Sequence, residues 1–403
     1  MDPSIILTTN YDSLRDKIPD IFPVVFDTYK HKEENITKQS IALIKRHVFV
    51  RPTDDIPAIF SDSNRYFTLQ RAKDAFDADN FLTARDATNP FETIGRSIFM
   101  NRAAVKLANI DAVFNISGET FSFDSKSSVN KITFCDVAAG PGGFTQYLQY
   151  RYPNSTGYGM TLRNKNLDWN VELVNMRQFT SFYGSDNTGN LYTGWEQFID
   201  FVLKQELKGV NLVTADGGFD IEEGGNRTYL QKQEFLSSRL LVVQSLIGIG
   251  CTRIGGNFVL KVFDTVTEIS GQVIYILGQC FDALTMFKPV TSRPANAERY
   301  LICRGRRADV HLYYDILAEA SRAYTDERYL SSMFESALPD DFTSWLIRAN
   351  TQSIERQLIS AQHILLYMQG HSPIIEHYNI AKFLTIWNLP DTPINKRRDK
   401  LII

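Results

Sequence analysis

Between Ile132 and Gly305 the sequence alternates short apolar runs with amphipathic ones, and no other feature constrains the fold as much. In order the stretch carries ITFCDVAAG, a helical FTQYLQYRY, the strand GYGMTL, a helical GWEQFIDFVLKQEL and the strand VNLVTADGG. A long helix follows from about Tyr229 to Ile249, then the strand GNFVLKVFD, the helix ISGQVIYILGQCF and two final strands, LTMFKP and RYLICRG. Strand and helix in alternation predict a mostly parallel sheet covered on both faces, a doubly wound α/β unit over roughly residues 90–305. In such a sheet ligands bind outside the carboxyl ends of the strands, where loops lead into helices. Those loops are where chemistry is sought.

The flanks carry weaker signals. Residues 1–65 mix short apolar stretches such as SIIL, IFPVVF and HVFVRP with prolines and charges, which suggests a small irregular or strand-bearing extension. Asn89, Pro90 and Glu92 have the spacing of a capping box, so a helix is expected from there to about Ile110. Phe99, Ala103, Lys106 and Ile110 then share one face, with a lysine on an apolar stripe that could simply snorkel. After Arg307 the pattern is helical with no further strand alternation, giving an expected division into 1–65, 66–305 and 306–403. The terminal NKRRDK is either a solvated tail or a nuclear address. A chain of 403 residues can bury a sizeable core. Its net charge of -3 offers no global attraction for nucleic acid, so any such contact must be local. Cys135, Cys251, Cys280 and Cys303 lie in apolar runs without CxxC spacing, as expected of buried thiols in a reducing compartment; no metal site is expected. Neither a signal peptide nor a membrane span is expected, since no run of about 18 apolar residues occurs.

The run FCDVAAGPGGFTQYL joins a strand to a helix through Gly140, Pro141, Gly142 and Gly143. Glycines at such a turn let backbone approach a ligand, and the helix N-terminus offers amides to an anionic or polar group; a plain tight turn is the alternative. The spacing is neither the GxGxxG of dinucleotide binding, which argues against a nicotinamide dehydrogenase, nor a P-loop. Four polar residues also stand where a packed core would not ask for them. They are Lys106, Asp216 at the end of VNLVTAD, Lys261 inside NFVLKVF, and Glu298 entering RYLIC. Each has an ordinary explanation as a turn cap, a surface charge or a snorkelling lysine, but two lysines and two carboxylates at one end of a sheet suit proton handling at a hydroxyl.

FCDVAAGPGGF resembles the methionine-side cofactor loop of the FtsJ-like ribose 2′-O-methyltransferases, which have a Rossmann-like S-adenosylmethionine methyltransferase fold. FMNRAAVKLANID, GYGMTLR, VTADGGF and FKPVTSRPANAERYLIC are similar, in that order, to the cap-1 mRNA branch of that superfamily over roughly residues 65–305. The resemblance implies an enzyme that uses S-adenosyl-L-methionine to methylate the 2′-hydroxyl of the first transcribed nucleotide of capped mRNA. It implies a Lys-Asp-Lys-Glu tetrad at Lys106, Asp216, Lys261 and Glu298, with Lys261 deprotonating, Lys106 and Asp216 orienting hydroxyl and methyl donor, and Glu298 fixing a lysine. Cofactor contacts are implied at Asn101, at Cys135, Asp136, Ala138, Ala139, Gly140, Pro141, Gly142, Gly143 and Phe144, and at Asp216. The family's further acidic contact falls at about Asn190, an uncharged departure. Capped-RNA contacts are implied at Gln70, Arg71, Ala72, Lys73, Asp74 and Arg85, at Gln231, Lys232 and Gln233, and at Asn296. Arg71 and Lys73 suit phosphates, although LQRAKDAFD could equally be an amphipathic helix with a solvated face.

Other readings stay open at this point: a 2′-O-methyltransferase for rRNA, tRNA or the second cap nucleotide, or a catalytically silent RNA-binding scaffold, whose expected mark would be a lost tetrad member. Capped mRNA is the expected partner, with other capping or transcription machinery beside it and no membrane. The protein is expected inside cells, nuclear if cellular, or in host cytoplasm or virion if viral. Cellular members of the resembled branch carry additional modules for which 403 residues are expected to leave no room beyond the helical tail, so a viral or otherwise minimal form is one expectation.

Overall fold

In a computed structural model of the chain, residues 24–30, 45–51, 56–76, 78–116, 132–218, 233–373 and 378–390 are described. The main sheet contains β1 (Val24–Lys30), β3 (Thr133–Val137), β4 (Thr156–Met160), β5 (Phe179–Phe182), β6 (Val210–Ala215), β7 (Thr252–Val262), β8 (Phe281–Lys288) and β9 (Arg299–Arg306). Their spatial order is β1-β8-β9-β7-β6-β3-β4-β5. Pairs from β7 through β5 are parallel, and β9, β8 and β1 are added antiparallel beyond β7. The chain leaves β3 toward β4 on one side and returns to β6 on the other. The loops after β3 and β6 therefore flank the crevice where strand order reverses.

Alternation of side chains along each strand sorts the core into two layers. Phe134, Leu212, Val259, Phe287 and Ile302 face a layer shared with α3 (Arg102–Phe114) and α4 (Gly143–Arg151). Cys135, Val213, Phe258, Leu260, Met286 and Leu301 face the opposite layer. That layer is shared with α5 (Leu191–Gln205), α6 (Ser238–Cys251), α7 (Glu268–Cys280), α8 (His311–Ala323) and α9 (Asp340–Met368). Two further helices, α1 (Ser63–Asp74) and α2 (Ala78–Ala87), precede this body, and α10 (Ile380–Ile386) packs late in the chain. All four cysteines are free and buried. Among the described residues no helix is long and apolar enough to cross a membrane.

The doubly wound α/β expectation holds, with local corrections. The helix expected from Asn89 begins only at Arg102. Asn89 does pair with Glu92, Nδ2 to Oε2 at 2.7 Å, but the result is a 3₁₀ turn, Glu92–Ile94. Gly95 and Ser97 then take φ of 55° and 52°, which no continuing right-handed helix allows. Asn101 is the cap instead, its Oδ1 accepting the Ala103 amide at 3.1 Å. Phe99 consequently precedes the helix but joins the same core layer. After Arg307 the chain is not wholly helical: β10 (Tyr329–Phe334) pairs antiparallel with β2 (Lys45–Val50) in a separate two-stranded sheet. The helix expected from Tyr229 is described from Ser238, its expected start lying outside the described residues.

Candidate active site

The loop after β3 is built on a buried carboxylate. Asp136 is fully enclosed; its Oδ2 accepts the Thr145 amide at 3.0 Å and the Thr145 hydroxyl at 2.7 Å, and its Oδ1 accepts the Thr214 hydroxyl at 2.7 Å. Burial pushes this carboxyl up to about 7 against the pull of those donors. The side chain thus ties the first turn of α4 to β3 and β6. Gly142, at φ 110°, caps α4. A Cβ on Gly143 would lie 2.1 Å from Asn101 Oδ1, so the starts of α3 and α4 meet at that point. Thr145 has given its amide to Asp136, while the Gly143 and Phe144 amides have no protein acceptor among the described residues. Two free donors at a helix N-terminus favour a carboxylate or similar anionic end of a ligand.

Beside this turn two lysine–carboxylate pairs come together. Lys106 on α3 places Nζ 2.7 Å from Glu298 Oε1 and donates to Oε2 at 2.9 Å. Lys261, near the end of β7, lies 3.2 Å from Asp216 Oδ1 and also donates to the Asp216 carbonyl. Parallel pairing sets these positions: Val137 is opposite Ala215 and Ala215 opposite Leu260, so the glycine loop, Asp216 and Lys261 emerge at one level. Burial alone would raise the Glu298 carboxyl, but Lys106 and Lys261, with the Ser292 hydroxyl donating at 2.6 Å, bring it down to about 2. Tyr300 is opposite Lys261 across β7 and β9, and its hydroxyl donates to Asp216 Oδ1 at 2.8 Å. Two lysines, a carboxylate that orients each and a nearby turn with free amides together suit group transfer to a hydroxyl.

The FtsJ-like methyltransferase family model matches residues 99–306, more than half of the chain. The chain belongs to the FtsJ-like methyltransferase family. Relatives include the cap-specific mRNA (nucleoside-2′-O-)-methyltransferase 1 of Drosophila melanogaster, 33% identical over 349 residues, covering 79% of this chain and 43% of that protein. The Xenopus laevis protein of the same name is 33% identical over 363 residues, covering 82% and 42%. The Homo sapiens one is 32% identical over 347 residues, covering 79% and 40%. The chain therefore spans well under half the length of these relatives.

Within this FtsJ-like domain and just ahead of it, where residues 70–74 and 85 lie, the remaining expected site residues fall in several settings. Cys135, Asp136 and Phe144 are wholly buried, so they support the glycine loop from beneath and cannot touch a ligand through their side chains. Ala138 (φ 52°), Ala139, Gly140, Pro141, Gly142 and Gly143 form the turn itself, and Asn101 abuts it. Asn190 caps α5, its Oδ1 accepting the Tyr192 amide at 2.9 Å. On α1, Gln70 and Ala72 turn inward, Arg71 is exposed, and Asp74 is half-buried. Half-buried Lys73 donates to Gln357 Oε1 of α9 at 2.7 Å, and burial lowers its pKa although Asp264 opposes this. A phosphate would have to compete with that bond. Arg85 pairs with Asp86 at 2.8 Å, Gln233 is half-buried, and Asn296 is exposed next to Glu298. Gln231 and Lys232 lie outside the described residues. The sequence reading missed Tyr300 and Ser292, which hold the two carboxylates, and Lys288, which donates to the backbone beneath Glu298.

Proposed function

We propose that this chain transfers a methyl group from S-adenosyl-L-methionine to the ribose 2′-hydroxyl of the first transcribed nucleotide of capped RNA. The observation that carries this reading is the meeting of the Lys106–Glu298 and Lys261–Asp216 pairs beside the Gly140–Gly143 turn. That setting fits the cofactor: the free amides of Gly143 and Phe144 suit its carboxylate, and the Asp216 carboxylate suits its cationic end. When bound, the cofactor supplies a methyl group on a sulfonium centre.

Lys261 is the group placed to take the hydroxyl proton, which requires that its amine first give up a proton of its own. The Asp216 carbonyl and Oδ1 fix the direction of Nζ, and Tyr300 holds that carboxylate from the far side. Lys106, held by Glu298, contributes positive charge where the oxygen becomes negative. Glu298 stays ionised at neutral pH, so the Lys106 ammonium keeps its partner throughout the reaction. The cap as substrate rests on the similarity to the cap-specific mRNA 2′-O-methyltransferases of Drosophila melanogaster and Homo sapiens. Reaction on capped mRNA would place the working protein inside cells, in company with capping or transcription machinery.

The test uses labelled S-adenosylmethionine with short RNAs that are uncapped, capped with guanosine, or capped with 7-methylguanosine, followed by mapping of the modified ribose. Methylation of the first ribose of capped RNA is expected, with Lys261→Ala reducing it at least about a hundredfold. Equal transfer to uncapped RNA would overturn the cap assignment in favour of an rRNA or tRNA substrate, and modification of the second ribose would move the position. Undiminished transfer by Lys261→Ala would overturn the proton-handling role.

A further inference from the structure

We propose that Lys288 is a positioning residue for this reaction, clamping the Asn296–Glu298 segment so that the Glu298 carboxylate is aimed at Lys106. The inference rests on the methyltransferase reading above.

Lys288 is the last residue of β8 and is only 7% exposed. Its ammonium donates to the Asn296 carbonyl at 2.8 Å, the Asn296 Oδ1 at 2.8 Å and the Glu298 carbonyl at 2.9 Å. An ammonium has three protons, and these three acceptors all come from one three-residue segment. None is a carboxylate. Burial draws this lysine down to about 7, with Glu298 pulling it back up and Arg299, Lys73 and Lys106 pushing it further down. A buried cation in such company is costly, and an apolar side chain would fill the space at less cost. What the lysine adds is direction.

The rest of the β8–β9 connection shows what is being directed. The Val290 amide donates to Asn109 Oδ1 at 2.9 Å, one turn along α3 from Lys106, so the start of the connection is registered to the helix that carries the catalytic cation. Ser292 then reaches across to Glu298 Oε1 at 2.6 Å. Lys288 fixes the backbone under the other end. Glu298 is thereby held at its carbonyl by Lys288 and at its carboxylate by Ser292 and Lys106. Asn296 Oδ1 is occupied by the same ammonium, and its exposed side-chain nitrogen has no acceptor among the described residues.

A double-mutant cycle tests this, using the full chain and steady-state methyl transfer to capped RNA. Lys288→Met is expected to lower kcat about 10- to 100-fold, as misplacement of a catalytic group does, with KM for S-adenosylmethionine unchanged within about twofold. In a Glu298→Gln background the same change is expected to cost less than about threefold, because the group it positions is already altered. Lys288→Arg, which keeps the charge and donors, is expected to recover part of the loss. If Lys288→Met does not fold, Lys288→Gln, which keeps two donors, takes its place in the cycle. An equal fold-loss in both backgrounds, or a wild-type kcat for the Lys288 variant, overturns the proposal. If Glu298→Gln transfers methyl at the wild-type rate, the carboxylate has no role for Lys288 to serve and the proposal fails; if the wild-type chain transfers no methyl to any of the RNAs, the methyltransferase reading itself fails, whatever Lys288 does.

Discussion

Glu298 illustrates how much a single site residue is asked to carry. Its pKa stands at about 2 in the folded protein against 4.5 for an unperturbed side chain, so between those values the unfolded chain binds more protons than the folded one. Its contribution to stability is complete above about pH 4.5 and is lost as pH falls through about 2. The difference in Tm between wild type and Glu298→Gln should therefore shrink as pH is lowered across that window, measured by calorimetry at matched ionic strength; a constant difference would contradict the ion pairing with Lys106. At the glycine turn the argument is steric. Gly143→Ala must displace Asn101, whose Oδ1 would lie 2.1 Å from the new Cβ, and so uncaps α3. The expected stability loss is about 1 kcal/mol, the worth of a cap, with cofactor affinity falling about tenfold or more by titration calorimetry.

The elements around the site are joined by buried polar contacts that hydrophobic patterning does not reveal. Arg299, fully buried, donates from Nη2 to the carbonyls of Phe263 and Asp264, to the Thr265 hydroxyl and to Asn350 Oδ1 on α9. Asn350 in turn donates to the carbonyls of Phe60 and Thr265. The segment following Lys261 is thus fastened to a helix some ninety residues downstream. Asn350→Ala would leave several of these buried groups without partners and should cost about 2–4 kcal/mol in denaturant unfolding. The alternation of strand and helix was readable because parallel strands buried on both faces are short apolar runs, and Lys261 and Asp216 stood out as charges within or just after such runs. Tyr300 did not stand out: in RYLIC a tyrosine is an ordinary strand residue, and its hydroxyl gains meaning only when the β7–β9 register sets it opposite Lys261. β5 has only four residues, and β10 pairs with a strand from the far end of the sequence, so neither leaves a local pattern strong enough to read. The late start of α3 was hidden for a different reason, since Ser97 at positive φ is a conformation its residue type does not advertise.

At the scale of the molecule, the segment after Arg307, its helices and β10 alike, shares a core with the sheet that carries the site. Leu330, Met333, Phe342, Trp345 and Leu346 belong to the same buried cluster as Phe258, Leu260 and Leu301. Each large apolar side chain buried this way contributes about 1.5–3 kcal/mol, and total stabilities are commonly about 5–15 kcal/mol. Deleting residues 307–403 is therefore expected to abolish cooperative unfolding of the remainder, seen as a loss of the near-UV circular dichroism signal and of the thermal transition. A cooperative transition in the shortened chain would show that the sheet and its first helices are self-sufficient.

The edge strand β1 gives the chain a schedule as well as a shape. Thr28 and Thr285, whose hydroxyls meet at 2.9 Å, are 257 residues apart. At 5–20 residues per second a ribosome needs about 10–50 s to bring β8 into existence after β1 has been made. Throughout that interval β1, an edge strand, lacks the strand it pairs with in the finished sheet, and β8 in turn joins that sheet only through β9, which is made later still. In a cell making this protein, the waiting strand is the stretch of nascent chain most in need of being kept from other company.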